Sequence, residues 1–262
     1  MKVAVLSAVP TSGKTTLLEV LGGVFSLSQG RSVGLFTTGN MAEMYEMTAS
    51  STTTDQSSAD ILQAMIDTNP HDPMLLDYGV QIGEEHVYAY EIANSEAKDE
   101  DKVKFMQSAL DNIPVDLALI ELTGDLHTKL NIEMLKHADC SLFLIPPTTK
   151  AILEYKAVLD SLPRCAALFN MAYVACPINY QILSDKSMAQ RMGVKLENLY
   201  KVPYNATVQK LSMAGTLDTI CDKVVRGDST VVNLRESLLE LMRYIFDSEE
   251  YKVIRGIDKW YR

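Results

Sequence analysis

Residues Val3–Thr16 read VAVLSAVPTSGKTT, and the order of residue types in this stretch decides the fold. Val3–Leu6 is a short apolar run, as expected of a buried parallel strand. Ser7–Ser12 is small, polar or proline, and reads as a loop. Gly13-Lys14-Thr15-Thr16 then opens Leu17-Leu18-Glu19-Val20-Leu21, which has helical spacing. Strand, loop, GKT and helix in that order form the context of a phosphate-binding loop. The helix start offers free backbone N–H groups and the positive end of its dipole to an anion. Gly13 lets the backbone come close, Lys14 reaches toward the outer phosphates, and the Thr15 hydroxyl helps to hold Mg²⁺. The pattern G-x-x-x-x-G-K-[ST] is met except at its first glycine, where Ala8 stands.

The chain of 262 residues is 47% hydrophobic, enough for a sizeable core. No stretch approaches the ~20 apolar residues of a membrane span. MKVAVLSAVP runs directly into the loop, so the N-terminus is expected to be structure and not a signal peptide. With 24 Lys+Arg against 34 Asp+Glu the net charge is −10. That opposes broad DNA binding, which rests on phosphate neutralisation. Cys140, Cys165, Cys176 and Cys221 lack C-x-x-C spacing and read as reduced, mostly buried thiols in a cytoplasmic protein. His137 and Cys140 make a lone H-x-x-C, too little for a zinc site.

Apolar strand-like runs alternate with helical segments along the chain, at Val3–Val9, Ser32–Thr37, Asp116–Thr123, Ser141–Pro146, Cys165–Asn170 and Leu199–Pro203. One or two irregular strands are expected within Pro73–Glu91. Helices are expected at Thr15–Gln29, Ala59–Thr68, Asp99–Ile113, Thr128–His137, Ala151–Leu162, Tyr180–Met192, Val208–Leu217 and Val232–Phe246, with Gly30 as a C-cap. The alternation predicts an α/β fold: a mainly parallel sheet with helices on both faces, in one nucleotide-binding domain spanning 1–262 with a C-terminal tail, 247–262. Ligands of such sheets sit at the carboxyl ends of the strands.

The order of these features resembles the MinD/ParA group of deviant P-loop ATPases, including localisation factors of the TadZ/CpaE type. DLALIELTGDL stands where that group has D-x-x-x-I-D-T-P-P-G, and KVPYNATVQKLSMAG resembles its I-P-x-(D/N)…G segment. The resemblance implies a three-layer P-loop fold binding ATP or ADP with Mg²⁺. Ser12, Gly13, Lys14, Thr15 and Thr16 would cradle the phosphates, and Asn170 and Pro203 would lie with the base. Thr15 and Glu121 would hold the metal, and Lys14 and Glu121 would serve hydrolysis. It also implies a homodimer, contacting across the loop 39–58 with Met41, Met44 and Met47, and a protein partner in a larger machine such as a pilus, secretion or conjugation apparatus.

The departures bear on activity. The group's K-G-G-x-G-K-T loop carries a lysine that crosses to the partner's phosphates, and Val9 stands there. Its second strand ends in D-x-D, whereas this one ends Thr37-Thr38-Gly39-Asn40. Phosphoryl transfer depends on positioned water, metal and charge, so weak or absent hydrolysis is expected. Thr37 and Asn40 are left to orient water weakly or to shape the turn. Glu121, an acid within an apolar strand, needs a partner: Mg²⁺, Lys14 or a structural ion pair. Asp125 reads as a substitute carboxylate or a helix N-cap. The tail, YKVIRGIDKWYR, mixes basic and apolar residues, but Gly256 and the acidic Asp247-Ser-Glu-Glu favour docking or partner binding over membrane contact. The competing functions are a DNA-segregation ATPase and an ATP-dependent ligase of the dethiobiotin synthetase type.

Overall fold

The computed structural model describes residues 1–10, 12–39, 57–82, 86–90, 98–178, 183–214, 216 and 218–246. The expectations for Thr11, Asn40, the three methionines of loop 39–58 and the tail 247–262 lie outside the described residues.

Strand β1 (Lys2–Leu6) enters the loop that leads to helix α1 (Lys14–Gln29). Then come β2 (Val33–Thr37), α2 (Ser57–Thr68), a 3-10 turn (Pro73–Tyr78), β3 (Val80–Gln81) and β4 (Val87–Tyr90). These are followed by α3 (Asp99–Asn112), β5 (Leu117–Glu121), α4 (Lys129–His137), β6 (Cys140–Ile145) and α5 (Thr149–Ser161). The last third holds α6 (Ala166–Phe169), β7 (Met171–Ile178), α7 (Asp185–Met192), β8 (Leu199–Pro203), α8 (Ala206–Met213), α9 (Asp218–Arg226) and α10 (Val232–Phe246). The strands form one sheet in the order β3-β4-β2-β5-β1-β6-β7-β8, parallel except for β3.

The central strands are apolar on both faces because both faces are covered. Along β1, Val3 and Val5 pack with α1, α9 and α10, while Ala4 and Leu6 pack with the helices of the other face. Leu17, Leu18, Val20, Leu21, Val24 and Phe25 are buried along α1. Each such side chain contributes about 1.5–3 kcal/mol, so α1, and with it the loop before it, is held firmly. Phe25 stacks on Phe246 at a centroid distance of 4.8 Å, docking α10 beside α1. Gly30 ends α1 in the left-handed conformation, as expected of a C-cap.

The structure corrects the sequence reading in two places, while β3 and β4 are the one or two strands expected within Pro73–Glu91. Cys165–Asn170 is not a strand: Ala166–Phe169 is a short helix, and the strand is the next segment, Met171–Ile178. Two adjacent apolar runs competed there, and the second is the one that pairs with β6. The helix Asp218–Arg226 was not foreseen, since its buried stripe is only Ile220, Cys221 and Val224. Pro73–Tyr78 is a 3-10 turn capped by Asp72, whose carboxylate accepts from Met74 N at 2.9 Å.

Candidate functional site

At the carboxyl end of β1 the chain turns through Gly13, whose φ of 82° lies in the left-handed region that an L side chain avoids. The Gly13 carbonyl then accepts from Leu17 N at 2.9 Å, starting α1. No side chain caps this helix, so its first N–H groups face the loop. Ser12 Oγ is buried and has no hydrogen-bond partner among the described residues. Lys14 makes no ion pair or side-chain hydrogen bond with the described residues, although it sits half-buried at the helix start. An uncapped helix start, with a buried hydroxyl and an ammonium that have no partner among the described residues, has the donor set that an oxyanion needs.

Thr15 Oγ1 donates to Glu121 Oε1 at 2.9 Å. Glu121 ends β5, next to β1 in the sheet, and is only 5% exposed. The two expected metal-holding residues therefore meet. An oxygen pair of this kind, hydroxyl and carboxylate at the foot of a phosphate loop, suits Mg²⁺, a hard cation that takes one or two carboxylates plus phosphate oxygens.

One turn along α1 is Glu19, which the sequence reading passed over as a polar position in a helix. It is 4% exposed, and neither carboxyl oxygen has a partner among the described residues. Burial, reinforced by the charge of Glu121, pushes its carboxyl up to about 9.

The end of β2 is built differently. Gly39 N donates to Thr37 Oγ1 at 3.0 Å. Thr38 Oγ1 donates to Asn131 Oδ1 at 2.6 Å and accepts from Thr123 N at 2.9 Å. The Asn131 amide donates in turn to the carbonyls of Thr123 and Asp125, at 2.8 and 2.9 Å. A Cβ on Gly39 would overlap Thr123 Oγ1, so a side chain has no room there. Sequence inspection missed Asn131; the available signal was an amide in a helix otherwise patterned for a core face.

Asp125 does not cap α4. Thr128 caps α4 through Asn131 N, and Asp125 is exposed, accepting from His127 N at 2.9 Å. That backbone N–H and the His127 ring hold its carboxyl below the usual range. Asn170 is not brought to the loop. It precedes β7, at the amino end of the sheet, and its amide donates to Asp139 O at 3.4 Å. There it lines a separate cavity of about 930 Å³ with Met1, Phe169 and Arg243. Pro203 ends β8 and does meet the loop. With Gly13, Thr16, Cys176 and Asn205 it lines a cavity of about 250 Å³ beside the start of α1. Cys176 is an inert thiol, pushed up to about 12 by burial.

The four cysteines are free, and no metal-ligating cluster of three or more acidic, His or Cys side chains occurs among the described residues. No described helix is long and apolar enough to cross a membrane.

The fold recurs in solved structures. A ParA family ATPase from Chlorobium tepidum TLS superposes with a TM-score of 0.69 at 14% identity, covering 92% of this chain and 97% of its own. MinD complexed with Mg-ADP from Pyrococcus horikoshii OT3 gives 0.67 at 12% identity, over 97% and 98%. The fold is that of the MinD and ParA ATPases. The MinC:MinD complex of Aquifex aeolicus, at 0.66 and 14% identity, covers 95% of this chain and 96% of its own. At such identities the MinD/ParA likeness is one of fold. No protein-family profile and no curated protein matches the sequence.

Proposed function

We propose that this chain binds an adenine nucleotide, ATP or ADP, with Mg²⁺ in the loop Ser12–Thr16, and acts as a localisation or assembly factor with weak hydrolysis. The observation that carries the reading is the loop itself: left-handed Gly13, unpartnered Ser12 Oγ and unpaired Lys14 at an uncapped helix start, with Thr15 on Glu121. The cavity between Thr16 and Pro203 suits a base stacked beside the loop.

The acidic net charge favours a protein partner over DNA. One structural neighbour is a MinD bound to MinC, in keeping with a partner protein in a larger machine. A homodimer in the cytoplasm and a single domain over 1–262 complete the proposal. Titrating the purified chain with ATP, ADP and GTP in Mg²⁺, with the mass measured in each state, tests it. Saturable binding of ATP and ADP, with GTP weaker, is expected. No binding of any nucleotide overturns the reading.

A further inference from the structure

Among the described residues two carboxylates are buried, Glu19 on α1 and Glu121 at the end of β5. Glu121 accepts the Thr15 hydroxyl. Glu19 follows Thr15 by four residues, which stacks the two on one face of α1. Gly22, nearly one turn further, faces Val33, Leu35 and Leu119 of β2 and β5. Between Thr15 on Glu121 and Gly22 on Leu35 and Leu119, Glu19 falls over the carboxyl ends of β2 and β5.

Two acids in this position are costly. A buried carboxyl without a partner loses its hydration and gains nothing in return, and a second acid nearby adds repulsion. An acid with a purely structural task would be expected to hydrogen-bond a neighbour, and Glu19 bonds none among the described residues. The end of β2 supplies no carboxylate, and its threonine and glycine positions are closed by their own hydrogen bonds and by Thr123. What the Glu19 carboxyl lacks among the described residues is a partner, and a cation shared with the neighbouring hydroxyl and acid would be one.

We infer that Glu19 is a positioning residue of the divalent-cation site, acting on the metal with Thr15 and Glu121, directly or through one coordinated water, and supplying the acidic oxygen that the end of β2 does not. The inference rests on the nucleotide-site reading for the identity of the cation as Mg²⁺. The oxygen set itself is present before any nucleotide arrives.

The test uses the full chain, Glu19→Gln, Glu19→Leu and Lys14→Ala. Mn²⁺ alone is titrated and followed by electron paramagnetic resonance, and ADP affinity is measured in Mg²⁺ and in EDTA. Glu19→Gln is expected to weaken Mn²⁺ about 10- to 100-fold. It should shrink the Mg²⁺-dependent part of ADP affinity by the same factor and leave ADP affinity in EDTA unchanged. Lys14→Ala should weaken ADP in both conditions. Without metal, both Glu19 variants should melt no lower than the wild type, because each removes an unpartnered buried acid. Equal Mn²⁺ affinity in wild type and Glu19→Gln overturns the inference. So does a lowered melting temperature with metal binding intact, which would make Glu19 structural. If the wild type binds no ADP in either condition, the nucleotide reading falls, and the Mn²⁺ titration still decides the role of Glu19.

Discussion

The start of α1 and the end of β2 flank the same corner of the sheet, and their polar groups are in opposite states. At α1, Ser12 Oγ and both oxygens of Glu19 are buried and unpartnered among the described residues. At β2, Thr37 Oγ1 accepts from Gly39 N, while Thr38, Thr123 and Asn131 hydrogen-bond one another. Leaving a buried polar group unmade costs about 1–3 kcal/mol, so the first region is incomplete without a ligand and the second is complete without one. The contrast separates two tasks that a nucleotide hydrolase combines. On the proposed reading the residues that would grip phosphate and metal are in place, and the end of β2 carries no carboxylate to aim a water.

The largest effect should come from breaking the gripping side. Lys14→Ala is expected to lower ATP affinity by about 3 kcal/mol, roughly 100-fold, with the fold intact, since a charge-assisted contact to phosphate is lost. Calorimetry on both proteins checks this, and equal affinities would remove the loop from the account. On the β2 side, Asn131→Ala takes the amide donors away from the Thr123 and Asp125 carbonyls and removes the shortest of the Thr38 hydroxyl's hydrogen bonds. A loss of about 2–3 kcal/mol of stability is expected, seen as a lower melting temperature, with nucleotide affinity little changed. A variant as stable as the wild type would show that the network is ornamental.

The two acids sharpen the contrast through pH. Glu19 titrates at about 9 in the folded protein against an ordinary 4.5, so between those values the native state holds a proton that the unfolded state has released. The unfolded state then binds fewer protons, and stability falls as pH rises through that window, by at most ~1.4 kcal/mol per pH unit. In urea melts of the metal-free protein at pH 5 to 9, Glu19→Gln should flatten this slope. An unchanged slope would show that Glu19 does not carry it. The same proton must leave before a cation can be held, so metal affinity should strengthen with rising pH.

The smallest effect is expected for assembly. Val9 occupies the position of the lysine that reaches across the dimer in the resembled group, and its half-buried side chain packs against the core. A nucleotide shifts association only by its differential affinity for monomer and dimer. The dimer dissociation constant should therefore differ by less than about threefold between apo and ATP-bound protein, which is within ~0.7 kcal/mol. Sedimentation at several concentrations measures it, and a monomer that pairs only with ATP contradicts it.

Much of this fold can be read from periodicity because β1, β2, β5 and β6 are short, mainly apolar and separated by recognisable helices. The GKT segment marks its own place, and Thr15 and Glu121 meet because adjacent parallel strands deliver their ends to one edge. Legibility fails where local pattern is ambiguous. CAALFN and MAYVACPI are both apolar, and choosing the first displaced Asn170 from the amino end of the sheet to the site. Glu19 and Asn131 are invisible for another reason. A polar residue in an amphipathic helix reads as solvent-facing, and only the packing of α1 and α4 shows that these two point inward.

The account turns on binding without vigorous turnover, and steady-state hydrolysis at saturating ATP and Mg²⁺ tests that most directly. With no carboxylate at Thr37 or Gly39 and no lysine at Val9, the rate should fall well below the ~10 s⁻¹ typical of enzymes. A rate at or above that value, abolished by Lys14→Ala, would contradict it and show that other residues of this chain aim the water.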